Sequence, residues 1–259
     1  MNVLIVYAHP EPRSLNGSLK SFICDHLNSL GHHVMVSDLY AMRWKASLDQ
    51  NDFPHLRADE RFDPSSASQY AFLNDSQPAD IKSEQDKLHQ ADLVIWQFPM
   101  WWFSMPAIMK GWFERVYAYG LGYGVGEHNQ QHWGDRYGEG SFAGKRAMIV
   151  TTMGGWESHY SERGINGALS DLLFPIEHGM LFYAGFSVLP AVAFYRVGRF
   201  DAAQFEHCCQ LLTERLNHIE QIEPIDFRQQ NGGDYVLPAL TLHPRLSAAE
   251  KGLKIHRKG

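Results

Sequence analysis

The sequence is short of several things, and each shortage narrows what the chain can be. It holds three cysteines, Cys24, Cys208 and Cys209, in 259 residues. Two are adjacent and the third stands alone, so no spacing suggests a disulfide framework or a zinc site; free thiols in a reducing, cytoplasmic setting are expected. Basic residues are in the minority: 23 Lys and Arg against 29 Asp and Glu leave a formal charge of -6, which speaks against a nucleic-acid surface. The one dense basic stretch, "KGLKIHRKG" at the C-terminus, is expected to be solvated. No segment reaches eighteen apolar residues, so no transmembrane helix is expected. The N-terminal "MNVLIVYAHP" has neither a basic flank nor a small-residue cleavage site and is expected to be a strand, not a signal peptide. No G-x-x-x-x-G-K-[ST] is present and no G-x-G-x-x-G follows the first apolar run, which argues against a P-loop or a Rossmann dinucleotide fold.

What is present points to one large core. Hydrophobic residues make up 44% of the chain, enough for a single domain of this length. Residues 2–7 form a continuous apolar run of the kind expected for a parallel strand buried on both faces. Leu15, Leu19, Phe22, Ile23, Leu27 and Leu30 then recur at helical spacing, closed by Gly31. Further strands are expected at 33–39, 91–99, 146–153 and 186–195. Helices are expected over about 79–90, from Pro106, around 166–181 with an interruption at Pro175, and over about 202–222. Alternating strands and helices imply a doubly wound, five-stranded parallel sheet with helices on both faces and ligand at the C-terminal strand ends. Residues 40–78 and 119–144 are expected as two insertions, the second glycine-rich and read as a mobile lid or pocket rim. Residues 1–222 are expected as the domain and 223–259 as a C-terminal extension.

Three segments should converge at those strand ends. After the first strand, "AHPEPRSLN" brings Ser14 and Asn16 to a helix N-terminus, where hydroxyl, amide and free N–H groups can cradle a phosphate or merely cap the helix. After the third, "PMWWFSMP" places Trp101, Trp102 and Phe103 between Pro99 and Pro106, outside regular structure, and large aromatics there must cover something. Trp112 and Phe113 follow helical core spacing and are expected to pack. After the fourth, "TTMGGW" offers two hydroxyls and two glycines that let a backbone approach a flat ligand closely. His128 and His132 have i, i+4 spacing, but no third ligand is evident and no metal is expected.

The strings "VYAHPEPRSLN", "SDLYAM", "ADLVIWQFPMWWFSMPAIMKGWFERV", "TTMGG" and "FPIEHGMLFYAGF" together resemble the NAD(P)H:quinone oxidoreductase family, in particular its longer, FAD-containing branch. The resemblance implies a flavodoxin-like homodimer with FAD, in preference to FMN, at two shared sites, and NAD(P)H as co-substrate. It implies that His9, Ser14, Leu15 and Asn16 form the FAD phosphate loop and that Gln69 reaches FAD. Pro99, Met100, Trp102 and Phe103 would lie beside the isoalloxazine, and Thr151, Thr152, Gly154 and Gly155 would hydrogen-bond it. Trp102, Phe103, Tyr123 and Tyr183 would line the nicotinamide and quinone pocket. Tyr160 would support the reduced cofactor, with Asn166 where mammalian members carry histidine; an asparagine can donate a hydrogen bond but cannot take up a proton near neutral pH. The implied chemistry is a two-step exchange in which a nicotinamide and then a quinone use one flat slot. Two rivals are an ancillary, regulatory subunit of a potassium-efflux system and a flavodoxin-type electron carrier, which would have no nicotinamide pocket.

Overall fold

The apolar run near the N-terminus forms β1 (Asn2–Tyr7), with residues 3–7 all shielded from solvent. In the computed structural model, which describes residues 1–57, 59–199 and 201–258, β2 (His33–Asp38), β3 (Leu93–Pro99), β4 (Arg146–Thr152), β5 (Ser187–Val188) and β6 (Val192–Phe194) complete a parallel sheet. The order β2-β1-β3-β4-β5 is that of a flavodoxin-like, doubly wound fold. Its switch point between β1 and β3 opens a crevice at the C-terminal strand ends. The strand expected over 186–195 is two short pieces, because both β5 and β6 pair with β4. Pro190 lies between them and has no N–H to give to a ladder.

Alternation along β3 divides the core. Leu93 and Ile95 join one apolar cluster, while Val94, Trp96 and Phe98 join the other. The first face is covered by α1 (Leu15–Ser29) and α6 (Ala202–Asn217) through Leu19, Ile23, Leu27, Cys208, Leu212 and Leu216. The second is covered by α3 (Ala79–Gln90), α4 (Ala107–Val116) and α5 (Leu169–Ile176). Each leucine taken fully out of water contributes about 1.5–3 kcal/mol, and the i, i+4 spacing that made these helices legible is the spacing that buries one stripe. All three cysteines are free. Among the described residues no helix is long and apolar enough to cross a membrane.

The insertion at 40–78 has more structure than its weak periodicity suggests. It carries α2 (Pro64–Leu73), capped by Asp63, and a small cluster of Phe53, Ala67 and Ala71. Arg115 of α4, 4% exposed, anchors the insertion with Nη2 2.8 Å from Asp52 and Nη1 2.8 Å from Asp80. The chain at Ala46 lies so close to α4 that a Cβ on Gly111 would stand 1.7 Å from its carbonyl oxygen, so only glycine fits there.

The run through Pro175 is not broken. It passes into a π-helical segment, Glu177–Phe182, where the Tyr183 N–H donates to the His178 carbonyl five residues back. Pro175 has no N–H for the α ladder, and a register shift accommodates it. The extension after Glu223 packs on the domain, while its basic end keeps Lys251, Lys254 and Lys258 exposed as expected. Phe227 is 3% exposed against Phe174, Phe182 and His178, and Arg257 Nη2 donates to the Ser170 carbonyl. A short hairpin, β7 (Tyr235–Val236) with β8 (Thr241–Leu242), completes this extension.

Candidate functional site

The strand ends bring the three expected segments together. Ser14 caps α1, its Oγ accepting the Gly17 N–H at 3.1 Å, so the preceding first-turn N–H groups of Leu15 and Asn16 keep no partner within the helix. Asn16 is 4% exposed; its Nδ2 donates to Thr152 Oγ1 at 2.9 Å, and its carbonyl accepts from Gln97 Nε2 at 2.7 Å. Those bonds join the first, third and fourth strand ends through side chains. His9 sits at the rim, its Nδ1 accepting the Glu11 N–H and its ring 6.0 Å from that of Trp101.

The segment after β3 has an unexpected backbone. Trp101 and Ser104 exchange both N–H···O=C bonds, at 2.9 and 3.1 Å, which leaves Trp102 and Phe103 as the two central residues of a tight turn. Both have positive φ, 51° and 61°. Such a turn normally takes Asn-Gly or Gly-Gly, and non-glycine residues held there store on the order of 1–3 kcal/mol each. Trp102 is 95% exposed and Phe103 50%. The turn is fastened to the sheet by Met100, whose N–H donates to the Thr152 carbonyl at 2.9 Å; Pro99 is buried at the end of β3.

The segment after β4 is held from behind by β6 and the residues after it: Met153 N–H donates to the Phe194 carbonyl, and Arg196 N–H to that of Gly155. A Cβ on Gly154 would meet nothing within 4 Å, so its backbone faces open space; one on Gly155 would lie 3.0 Å from the Tyr160 ring and 3.2 Å from His159 Nδ1. Tyr160 packs 5.8 Å from Tyr195, whose phenol is pushed up by burial. Asn166 comes to the neighbouring position, its N–H donating to the His159 carbonyl at 3.0 Å. Beneath these loops Asn16 Oδ1, Gln97 Oε1 and Thr151 Oγ1 are buried without hydrogen-bond partners, an arrangement that ordinarily signals a missing partner.

Residues 1–216 match the family described as having a flavodoxin-like fold. A ribosyldihydronicotinamide dehydrogenase-like protein of Penicillium crustosum is 52% identical over 243 residues, 94% of this chain and 90% of that one. NAD(P)H dehydrogenase (quinone) 1 of Rattus norvegicus is 39% identical over 225 residues, 86% of this chain and 79% of its own. The crystal structure of a Klebsiella pneumoniae protein with a provisional quinone reductase name has TM-score 0.98 and 59% identity over 100% of both chains. The chain belongs to the NAD(P)H:quinone oxidoreductase family. Like the enzymes it matches, this family member is an oxidoreductase. An ancillary protein of a glutathione-regulated potassium-efflux system, from Enterobacter, stands further off at 27% over 193 residues, 74% of this chain.

Not all residues carried over from the family gather at the strand ends. Tyr123 and Tyr183 line a separate, shallow apolar groove of about 280 Å³ with Lys110, Gly179 and Met180; Trp102 and Phe103 are not part of it. Gln69 is exposed on α2, whose Ser68 accepts the Tyr119 N–H at 3.1 Å. His132 does not pair with His128. It meets Asp135 at 2.7 Å, with Glu139 close by, so three groups of metal-ligating type come together where the sequence showed no third ligand; Asn231 Nδ2 donates to Glu139, at 2.5 Å. The reverse also holds, since the fold adds residues that family matching passed over. Arg196 stacks 3.6 Å over Trp156, and the two line a pocket of about 360 Å³ with Gly154 and Gly198. Trp156 had only its nearness to "TTMGG" as a signal in sequence, and Arg196, about forty positions on, had none.

Proposed function

We propose that the C-terminal edge of the sheet holds a flavin, FAD in preference to FMN, and that NAD(P)H and a quinone occupy the adjoining aromatic slot in turn. The observation that carries this reading is the Trp102–Phe103 turn, which holds two large aromatics in positive-φ geometry and turns them to solvent. Strain of this kind persists where a function selects for it, and a flat partner would cover the exposed rings. The surroundings fit such a group: three orphaned buried polar atoms lie below the loops, and the backbone at Gly154 is open.

When bound, the flavin supplies two-electron transfer from the nicotinamide to the acceptor. The chain's own residues hold and bias it. Ser14 and the first-turn N–H groups of α1, with His9, Leu15 and Asn16, receive the phosphates at the positive end of the helix dipole. Thr151, Thr152, Gly154 and Gly155 offer hydroxyl and backbone groups to the ring, with Pro99, Met100, Trp102 and Phe103 on the other side. Tyr160 donates a hydrogen bond where negative charge collects, and Asn166 contributes donation without proton uptake. In a homodimer, Tyr123, Tyr183 and Gln69 of one protomer would close the edge of its partner, which accounts for their separation within one chain. The protein is read as cytoplasmic, with residues 1–222 as the flavin domain and 223–259 as an extension.

The potassium-efflux regulator is the weaker reading, because that relative is the more distant one. Denaturing the purified protein and weighing the released chromophore tests the main one. FAD is expected, with NAD(P)H oxidation coupled to a soluble quinone; a colourless protein that takes up no added flavin would sink it. Tyr160→Phe should slow flavin reduction by about tenfold, about 1.4 kcal/mol of barrier, with FAD affinity retained. Parallel loss of both, or no kinetic change, would count against Tyr160's role.

A further inference from the structure

A second concavity lies away from the strand-end loops. A cavity of about 370 Å³ opens between α5 with its π-helical continuation and the C-terminal extension. Its walls are aromatic: the His178 ring lies 4.7 Å from Tyr137 and 4.5 Å from Phe174, and Tyr235 lines it from the extension. A space of this size with flat walls and a few fixed polar groups suits a small molecule.

The polar groups specify which kind. Arg228 is neutralised by Asp234 at 2.9 Å. Arg136 has no carboxylate partner among the described residues. Its Nε donates to Gln230 Oε1 at 2.6 Å, and Gln230, 4% exposed, is itself anchored by donating to the Trp133 and Gly134 carbonyls at 3.1 Å each. The guanidinium is therefore held through one nitrogen while its terminal pair stays free, so the cavity carries one uncompensated, oriented cation. A second orphan points the same way: His178 Nε2 is buried without a hydrogen-bond partner. Burial and the nearby His256 push this imidazole down to about 4, so it remains neutral at neutral pH and adds no second charge to the cavity wall.

We propose that this cavity binds a small planar aromatic carboxylate, with the carboxylate on the free fork of Arg136 and the ring against the wall that Tyr137 and His178 form by packing on each other, with Tyr235 lining the cavity from the extension. A guanidinium offers two parallel N–H groups that match a carboxylate in a way an ammonium cannot. The cavity is separate from the proposed flavin edge and does not depend on it. It borders the groove of Tyr123 and Tyr183, where Tyr137 packs edge-on against Tyr183 at 5.0 Å and Arg136 lies 5.8 Å from the same ring.

Titration calorimetry of the purified, full-length protein with salicylate tests the assignment. One site per chain is expected, with Kd of about 0.1–1 mM for a ligand this small. Arg136→Ala should weaken binding at least about tenfold, the scale of a charge-assisted pair, and benzyl alcohol should bind the native protein about as weakly. Arg136→Lys, which keeps the charge and loses the fork, should fall in between and serves if the alanine variant does not fold. The assignment is overturned by no saturable heat, by equal affinity for benzyl alcohol, or by phosphate binding as tightly as salicylate. It is also overturned if Arg136→Ala and Arg136→Lys bind normally while Trp102→Ala does not, since that would place the ligand at the strand-end edge.

Discussion

Trp102 and Trp112 belong to one aromatic-rich stretch, and the fold treats them in opposite ways. Trp102 is 95% exposed on a strained turn; Trp112 is 0% exposed in α4, edge-on to Phe113 at 5.3 Å and to Trp96 at 6.5 Å. Its Nε1–H donates to Glu84 Oε2 at 2.8 Å, and Glu84, itself fully buried, takes Lys87 at 2.5 Å. One tryptophan is fully satisfied by its own chain; the other is left without a cover. Aromatic residues therefore stabilise or await a partner according to backbone context, and Pro106 divides the two regimes.

The largest effect should come from the satisfied side. Trp112→Ala leaves a cavity and strips a buried carboxylate of a donor, so the urea midpoint should fall by an amount equivalent to about 3–5 kcal/mol. A loss below about 1 kcal/mol would mean that this helix face is not the core element it resembles. On the waiting side, Trp102→Asn combined with Phe103→Gly puts the favoured residues into the turn. Stability should rise by about 1 kcal/mol as strain is relieved, while NAD(P)H-dependent quinone reduction falls about tenfold or more. A variant that is no more stable, or equally active, breaks the link between strain and function.

A change seen only across a pH range tests whether the buried regime extends to charge. Burial pushes Glu177 up to about 7, against the opposing pull of Arg257, and pushes His178 down to about 4. An unfolded glutamate ionises near 4.5, so the fold retains that proton and loses stability as pH rises from 4.5 to 7. An unfolded histidine takes its proton near 6.5, so the fold gains stability as pH rises from 4 to 6.5. The two slopes oppose each other. Glu177→Gln removes the first and should expose a rise on the order of 1–3 kcal/mol across pH 4 to 6.5, followed by thermal melts. An unchanged profile would show that neither group titrates as its burial implies.

Much of the fold was legible because its signals are local. Buried parallel strands announce themselves as apolar runs, and α1 and α6 as three-and-four spacings. The strand-end loops were legible because topology fixes which ends carry ligands. Other features were not. The helix α2 is built from small and polar residues with little periodicity. The turn at Trp102–Phe103 contains no Asn or Gly to betray it. The stacking of Arg196 on Trp156 joins residues about forty positions apart, and the burial of Phe227 depends on α5.

By itself, then, the sequence determined the alternating α/β pattern, the doubly wound order and the family, since these rest on spacing and on contiguous motifs. Only the tertiary structure decided which aromatics are core and which stand exposed, that Tyr123 and Tyr183 lie apart from Trp102, and that Arg136 meets no carboxylate among the described residues. Exposure, strain and charge pairing are set by neighbours distant in the chain, and no local pattern encodes them.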